Sequence, residues 1–248
     1  MQLFMPLCPR CKANLDRNGE ALVCTECGSV YPVENRIIRF LDSMPLGEQD
    51  RKIKNRYDTI APTYDSAIVS IIESSGCAWV SYIKKLENYL YGTKNSIILD
   101  IGSGTSFPVG SLINDSIIYL GLDFSIGMLR IAQELLDLNI HATFFNIDSF
   151  HIPLNDSSVD MCLMLHTINS ASDNERIASE IKRVLKSNGS CLLSVIVNLG
   201  ENSRKILGSS LSNKEAESLI ELLFNRGWVI EKSNCGNILF YLIKKKIL

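Results

Sequence analysis

The chain has 248 residues, 46% hydrophobic and 21% charged, with a formal net charge of -2. This is the composition of an ordinary globular protein of one full α/β domain plus a small appendage, and it excludes a global field that would draw the chain to nucleic acid or to an anionic membrane. No apolar run approaches the ~20 residues of a membrane span, and the N-terminus lacks the basic and apolar stretches of a signal peptide, so a cytoplasmic protein without membrane association is expected.

The first elements are two cysteine knuckles, Cys8-Pro9-Arg10-Cys11 and Cys24-Thr25-Glu26-Cys27, with twelve residues between them. Each knuckle puts two thiolates on one side of a turn, and the two together complete a tetrahedral cage for a structural Zn2+ with no open coordination position. Asn18-Gly19 between them predicts a hairpin. A module this small cannot bury a sufficient core, so the metal supplies folding energy. The other cysteines, Cys77, Cys162, Cys191 and Cys235, are scattered; paired cysteines in such a chain point to metal rather than to disulfides. The stretch from Leu7 through Tyr31-Pro32-Val33 to Leu41 resembles the zinc-ribbon family of small activator subunits of tRNA and release-factor methyltransferases. Residues 1–57 carry nine Lys/Arg against seven Asp/Glu, and zinc on four thiolates cancels that excess. A neutral ribbon suits a lid or docking surface better than a clamp on RNA.

Ser43-Met44-Pro45-Leu46-Gly47 is a breaker cluster and the domain boundary. It divides the chain into a ribbon (1–42), a linker with lead-in helices (43–96) and a larger domain (97–248). Polar, basic chain leads to R-Y-D-T-I-A-P-T-Y-D-S at 56–66. Its Tyr57 and Tyr64 can pack at a helix start or offer ring faces to a cation. Apolar spacing from Ile68 to Leu90, through Val80, predicts a mainly helical Ala67–Tyr91.

From Ile97 on, apolar strands alternate with amphipathic helices. Strands are predicted over 97–101, 117–123, 142–146, 159–165 and 191–197, the last entered through a turn at Asn188-Gly189. Helices are predicted over 125–138, 173–185 and 213–226, the last ending at Gly227, and strands over 228–233 and 237–244 form a closing hairpin through Cys235-Gly236. Such alternation gives a parallel sheet covered on both faces, whose ligands bind at the carboxyl ends of the strands. Three acids stand at those ends: Asp100, Asp123 and Asp148. Gly102, Ser103 and Gly104 let backbone approach a ligand, but Phe107 occupies the third position of a dinucleotide fingerprint, which disfavours a pyrophosphate.

The phrases D-I-G-S-G-T at 100–105, G-L-D-F-S-I-G-M-L at 121–129, N-I-D-S-F-H-I-P-L-N-D-S-S-V-D at 146–160 and E-I-K-R-V-L-K-S-N-G-S-C-L-L at 180–193 resemble the class I S-adenosylmethionine (SAM)-dependent methyltransferases. Ser106 stands where that family often has a third glycine. The tyrosine phrase resembles the segment that lines the SAM pocket in small-molecule members. The resemblance implies an α/β fold, a Rossmann-like seven-stranded class I methyltransferase sheet behind the small N-terminal zinc ribbon. It implies SAM as cofactor, held by Tyr57, Tyr64, Asp100, Gly102, Ser103, Gly104, Asp123, Phe124, Met128, Asp148, Ser149, Phe150 and His166. Asp123 would take the ribose hydroxyls, Asp148 and the backbone after it the adenine, and Phe150 the adenine face.

His166, at the end of the fourth strand of this domain, is the candidate base, with Tyr64 a second candidate catalytic group. Arg204 and Lys205, in a polar loop over 198–211, are candidate contacts for an anion. A ribbon fused to this fold is also similar to zinc-containing rRNA guanine-N1 methyltransferases, whose fourth ligand is usually histidine where Cys27 stands here. Three readings stay open: transfer to a small molecule or peptide, transfer to an rRNA or tRNA base with the ribbon gripping RNA, and a SAM-binding pseudoenzyme or partner-activating module. The sequence sets neither the acceptor atom nor the oligomeric state.

Overall fold

The computed structural model describes residues 4–44, 46–136 and 140–246. The ribbon holds β1 (Leu15–Asn18), β2 (Ala21–Cys24), β3 (Val30–Glu34) and β4 (Ile37–Arg39). The first hairpin turns through Gly19 and Glu20, and Gly19 takes a φ of +60° at no steric cost. The seven expected strands follow as β5 (Ile97–Ile101), β6 (Ile118–Asp123), β7 (His141–Asn146), β8 (Val159–Leu165), β9 (Leu185–Ile196), β10 (Trp228–Cys235) and β11 (Ile238–Lys245). Their order in the sheet is β7-β6-β5-β8-β9-β11-β10, all running in one direction except β11, which is antiparallel to both of its neighbours.

The ribbon is not a separate layer. β4 pairs in parallel with β7, Ile37–Arg39 opposite Phe144–Asn146, so among the described residues one sheet of eleven strands runs from β1 to β10. Phe40 and Tyr31, both fully buried, pack edge to face at 4.8 Å, and Phe40 lies 6.1 Å from Phe145. One apolar core thus passes from the ribbon into the larger domain.

Four expectations need correction. The polar, basic stretch after the boundary, expected as linker ahead of the tyrosine phrase, is already helical: it forms α1 (Glu48–Ile60), continued through a 3-10 turn at Ala61–Thr63. The helix expected over 67–91 is two, α2 (Tyr64–Ser74) and α3 (Trp79–Leu90), and Val80 points to solvent. The break comes at Gly76, whose φ is +83°, and at Cys77, which is disulfide-bonded to Cys235 across 158 residues. These two cysteines are therefore a crosslink between the α2–α3 loop and the last hairpin. The turn at Asn188-Gly189 does not start a new strand. It is an irregularity inside β9, where the register jumps between the pairs Val159–Leu185 and Met161–Ser190 and Lys186 bonds Asp160 at 2.8 Å.

The remaining helices are α4 (Ile126–Leu135), α5 (Asn174–Val184), α6 (Glu201–Leu207) and α7 (Asn213–Leu223). The predicted extension of α4 to Leu138 falls outside the described residues. α7 stops three residues short of the expected Arg226, with Phe224 at its C-cap. Polar caps set three of these starts: Ser125, Asp173 and Ser212 accept from backbone N–H groups of the first turn, Ser212 within a full capping box. No single helix among the described residues is long and apolar enough to cross a membrane.

Candidate functional site

The carboxyl ends of β5, β6, β7 and β8 open onto three adjoining cavities of about 380, 390 and 440 Å³. β5 delivers Asp100 and then Gly102 and Gly104, both in the left-handed region at φ +69° and +52°. A side chain at Gly102 would overlap Thr167, whose hydroxyl donates to the Ile101 carbonyl at 3.0 Å and ties the loops after β5 and β8 together. Ser106, at the usual third glycine, keeps a φ of +59°, and Phe107 stacks on Trp79 at 5.3 Å at the edge of the third cavity.

The two inner acids are buried. Asp123 accepts from the Gly104 N–H at 2.9 Å and the Ser125 N–H at 2.8 Å. Burial raises its carboxyl to about 6 against the pull of those donors. Asp100 accepts from the Tyr119 hydroxyl at 2.7 Å, and burial raises it to about 7. Beside them the Ser103 hydroxyl is buried without a partner. Two buried acids held above their ordinary range, an unpaired hydroxyl and bare main chain thus line one wall of the pocket.

The opposite wall comes from the lead-in helices. Tyr57 and Tyr64 line the first cavity with Phe124 and Met128, the rings of Tyr57 lying 6.1 Å from Tyr64 and 6.4 Å from Phe124, both edge to face. Burial keeps both phenols protonated by raising their pKa, that of Tyr64 strongly. The sequence reading overlooked two acids here. Asp58 accepts from the Ser125 hydroxyl at 2.6 Å and the Gly127 N–H at 3.1 Å, and Asp65 accepts from the Thr105 hydroxyl at 2.5 Å. They clamp α1 and α2 onto the loops after β6 and β5. Their local signal is the repeated Tyr-Asp of the 56–66 phrase.

His166 lies in the left-handed region at φ +60° and lines the first and third cavities. Its Nε2 meets the Tyr82 hydroxyl at 2.9 Å and its Nδ1 the Ser194 hydroxyl at 3.1 Å, and burial lowers its pKa to about 3. The imidazole is therefore neutral, with both ring nitrogens engaged. Asp148, Ser149 and Phe150 line the second cavity with Leu46, Asp50 and Ile53. Asp148 accepts from the Phe150 N–H at 2.8 Å and meets His151 Nδ1 at 2.8 Å. The Phe150 ring carries the Arg176 guanidinium at 4.4 Å. Arg204 and Lys205 sit exposed on α6 and line none of these cavities.

The ribbon's four sulfurs, of Cys8, Cys11, Cys24 and Cys27, all lie within 4.8 Å of one another. Separations of 3.7 Å for Cys8–Cys27 and 3.4 Å for Cys11–Cys24 fit the ~3.8 Å edge of a tetrahedron with Zn–S near 2.3 Å. The donor set is all thiolate and closed, as a structural zinc requires. The ribbon also touches the site's floor: the Leu7 N–H donates to the Pro153 carbonyl at 2.8 Å and Lys12 Nζ to the Ile152 carbonyl at 3.0 Å, immediately after Phe150.

A Rossmann-like sheet with this strand order, a glycine turn after the first of its parallel strands and a buried acid closing the second defines a class I methyltransferase fold. Residues 99–193 match the family described as a methyltransferase domain, and residues 7–35 match the Trm112p-like proteins. The chain therefore joins a methyltransferase domain to a Trm112p-like zinc-ribbon module. Among curated relatives, the ubiquinone/menaquinone biosynthesis C-methyltransferase UbiE of Geotalea uraniireducens is 27% identical over 60% of this chain and 64% of its own length. A putative methyltransferase of Encephalitozoon cuniculi is 30% identical over 51% of this chain and 57% of its own. The chain thus spans somewhat under two thirds of the curated relatives it matches. Among solved structures, a chain of the complex between the Haloferax volcanii Trm112 methyltransferase activator and a putative methyltransferase aligns with a TM-score of 0.61 at 17% identity, over 77% of this chain and 98% of its own. The [4+2]-cyclase SpnF aligns with a TM-score of 0.61 at 15% identity, over 82% and 98%. Both likenesses are of fold.

Proposed function

We propose that the chain is a SAM-dependent methyltransferase acting on a small-molecule or peptide acceptor. The observation that carries the cofactor assignment is the buried Asp123 carboxylate facing the Gly102–Gly104 turn. When bound, SAM supplies a methyl group already activated by its sulfonium charge. Asp123 accepts the ribose hydroxyls, and the unpaired Ser103 hydroxyl with the bare loop takes the methionine end. Asp148, Ser149 and the Phe150 ring hold the adenine, Phe124 and Met128 the nucleoside between, and Asp100 orients the loop through Tyr119. Tyr57 and Tyr64 turn ring surface toward the cation and shut out water. His166, neutral and braced by Tyr82 and Ser194, shapes the methyl-facing wall; an imidazole whose conjugate acid forms only near pH 3 is a weak base, so alignment carries more of the rate than proton removal.

The ribbon acts as a built-in partner. Its β4 covers the β7 edge that would otherwise be free, and its Leu7 and Lys12 brace the loop that holds the adenine. Metal-loaded chain is titrated calorimetrically with SAM and S-adenosylhomocysteine, then incubated with labelled SAM and separate metabolite, peptide and RNA fractions. Heat with both nucleosides, its loss in Asp123→Ala, and label in the metabolite or peptide fraction are expected. Silence in the titration sinks the cofactor assignment; label in RNA alone sinks the acceptor class.

A further inference from the structure

The third cavity has one side that the donor does not need. Four rings stack in a row beside it: Phe107 on Trp79 at 5.3 Å, Trp79 on Tyr82 at 5.6 Å, and Tyr82 on His166 at 5.7 Å. Phe107 is 37% exposed and His166 only 5%, so the row runs inward from the surface to the methyl-facing wall. Phe107, Tyr82 and His166 line the cavity themselves, together with the buried Ile68, Ile72, Pro108 and Val109. No lysine or arginine lines it, and its one carboxylate, Asp100, is taken by the Tyr119 hydroxyl. The polar side, Ser103 and the Gly102–Gly104 turn, serves the methionine end of the donor. What remains is apolar, ring-edged and uncharged.

One hydrogen on this side is left over. The Ser194 hydroxyl oxygen accepts from the His166 main-chain N–H at 3.2 Å, and its own hydrogen finds an acceptor in His166 Nδ1 at 3.1 Å. The neutral imidazole then carries its proton on Nε2, which donates to the Tyr82 oxygen at 2.9 Å. The Tyr82 O–H hydrogen has no acceptor among the described residues. Burial raises the pKa of this phenol, so it keeps that hydrogen. A buried donor without an acceptor is costly unless a ligand supplies one. We infer that the apolar side of the third cavity seats the ring of the methyl acceptor, an uncharged molecule with an oxygen that accepts a hydrogen bond from Tyr82. A carboxylate on that ring would lose its hydration there with no cation to offset the loss. This names the acceptor class within the methyltransferase reading and rests on it.

Full-length, zinc-loaded chain saturated with S-adenosylhomocysteine is titrated calorimetrically with 4-propylphenol, propylbenzene and 4-propylbenzoate. The phenol is expected to bind about fivefold more tightly than propylbenzene, the worth of one hydrogen bond, and at least about tenfold more tightly than the benzoate. Tyr82→Phe should bring the phenol down to the level of propylbenzene, with propylbenzene and S-adenosylhomocysteine affinities unchanged. Phe107→Ala, at a half-exposed position that folding tolerates, should weaken phenol and propylbenzene by the same factor. The inference is overturned by benzoate binding as tightly as the phenol, by phenol affinity that ignores both substitutions, by no binding at millimolar concentration, or by phenol that displaces S-adenosylhomocysteine. A wild type that binds no S-adenosylhomocysteine defeats the cofactor reading separately, and the same titrations on the free chain still decide whether the cavity takes the ring.

Discussion

The two ends of the long sheet are closed by different devices. At the ribbon end, β4 meets β7 along only Ile37–Arg39, and the attachment is extended by the shared apolar core and by separate bridges, among them Phe4 N–H to the Thr143 hydroxyl, Leu7 N–H to the Pro153 carbonyl, Lys12 to Ile152, Arg36 to the Gln133 carbonyl, and a two-pronged pair between Arg130 and Glu34. At the other end, β10 and β11 pair over the full length of Trp228–Cys235, β11 pairs with β9 from Ile238 to Lys244, and Cys235 is bonded to Cys77. One end depends on a metal-built module keeping its shape; the other is held by continuous backbone hydrogen bonds and a crosslink. The site lies between them and touches both, through the 148–154 loop on one side and the α2–α3 helices on the other.

Removing the metal should separate the ends most sharply. Structural zinc contributes on the order of 10 kcal/mol to the folding of such small modules. Chelation, or Cys24→Ser, is expected to strip hydrogen-exchange protection from 15–39, from β7 and from 148–154, weakening S-adenosylhomocysteine binding while β9–β11 stay protected. Uniform loss across the sheet would show that the ends are not independent.

Opening the crosslink is the complementary break. Cys77→Ala with Cys235→Ala should cost about 2–4 kcal/mol, the loop it closes being long, and should lower the melting temperature with zinc content unchanged. Loss of zinc in that variant would contradict the division.

A gentler drift comes from the acids between the ends. Asp100 and Asp123 hold protons in the folded chain at pH values where the unfolded chain has released them. The stability this brings is full below about pH 4 and is lost as pH rises through about 6 and 7. Urea unfolding of ligand-free chain should thus need less denaturant at pH 8 than at pH 5. S-adenosylhomocysteine affinity should move the opposite way, because its ribose hydroxyls bind the ionised Asp123; flat binding across that window would remove Asp123 from the contact. Arg130→Ala is the smallest perturbation: its ion pair with Glu34 is exposed, so a cost of about 0–1 kcal/mol and an intact ribbon are expected in a thermal melt.

The residues legible in advance were those whose signal is local. Two knuckles of cysteine at a fixed spacing, an apolar strand ending in an acid, and two glycines one residue apart each show their geometry within a few positions. The opposite wall was not legible in the same way. Asp58 and Ser125 are 67 residues apart, Asp65 and Thr105 are 40 apart, and Tyr82 and His166 are 84 apart. The break between α2 and α3 has a local mark in Gly76, but Val80 makes the apolar spacing look continuous through it; the bond from Cys77 to Cys235 then fixes where the chain turns.

By itself, then, the sequence determined the metal cage, the alternation of strand and helix, and the acids and glycines of one wall, because period and backbone freedom are properties of neighbouring residues. Only the tertiary structure decided that the ribbon continues the sheet, that two clamped helices roof the cavity, and that Cys77 and Cys235 meet. Those follow from which distant segments share an edge or a face, and the topology of the whole chain sets that.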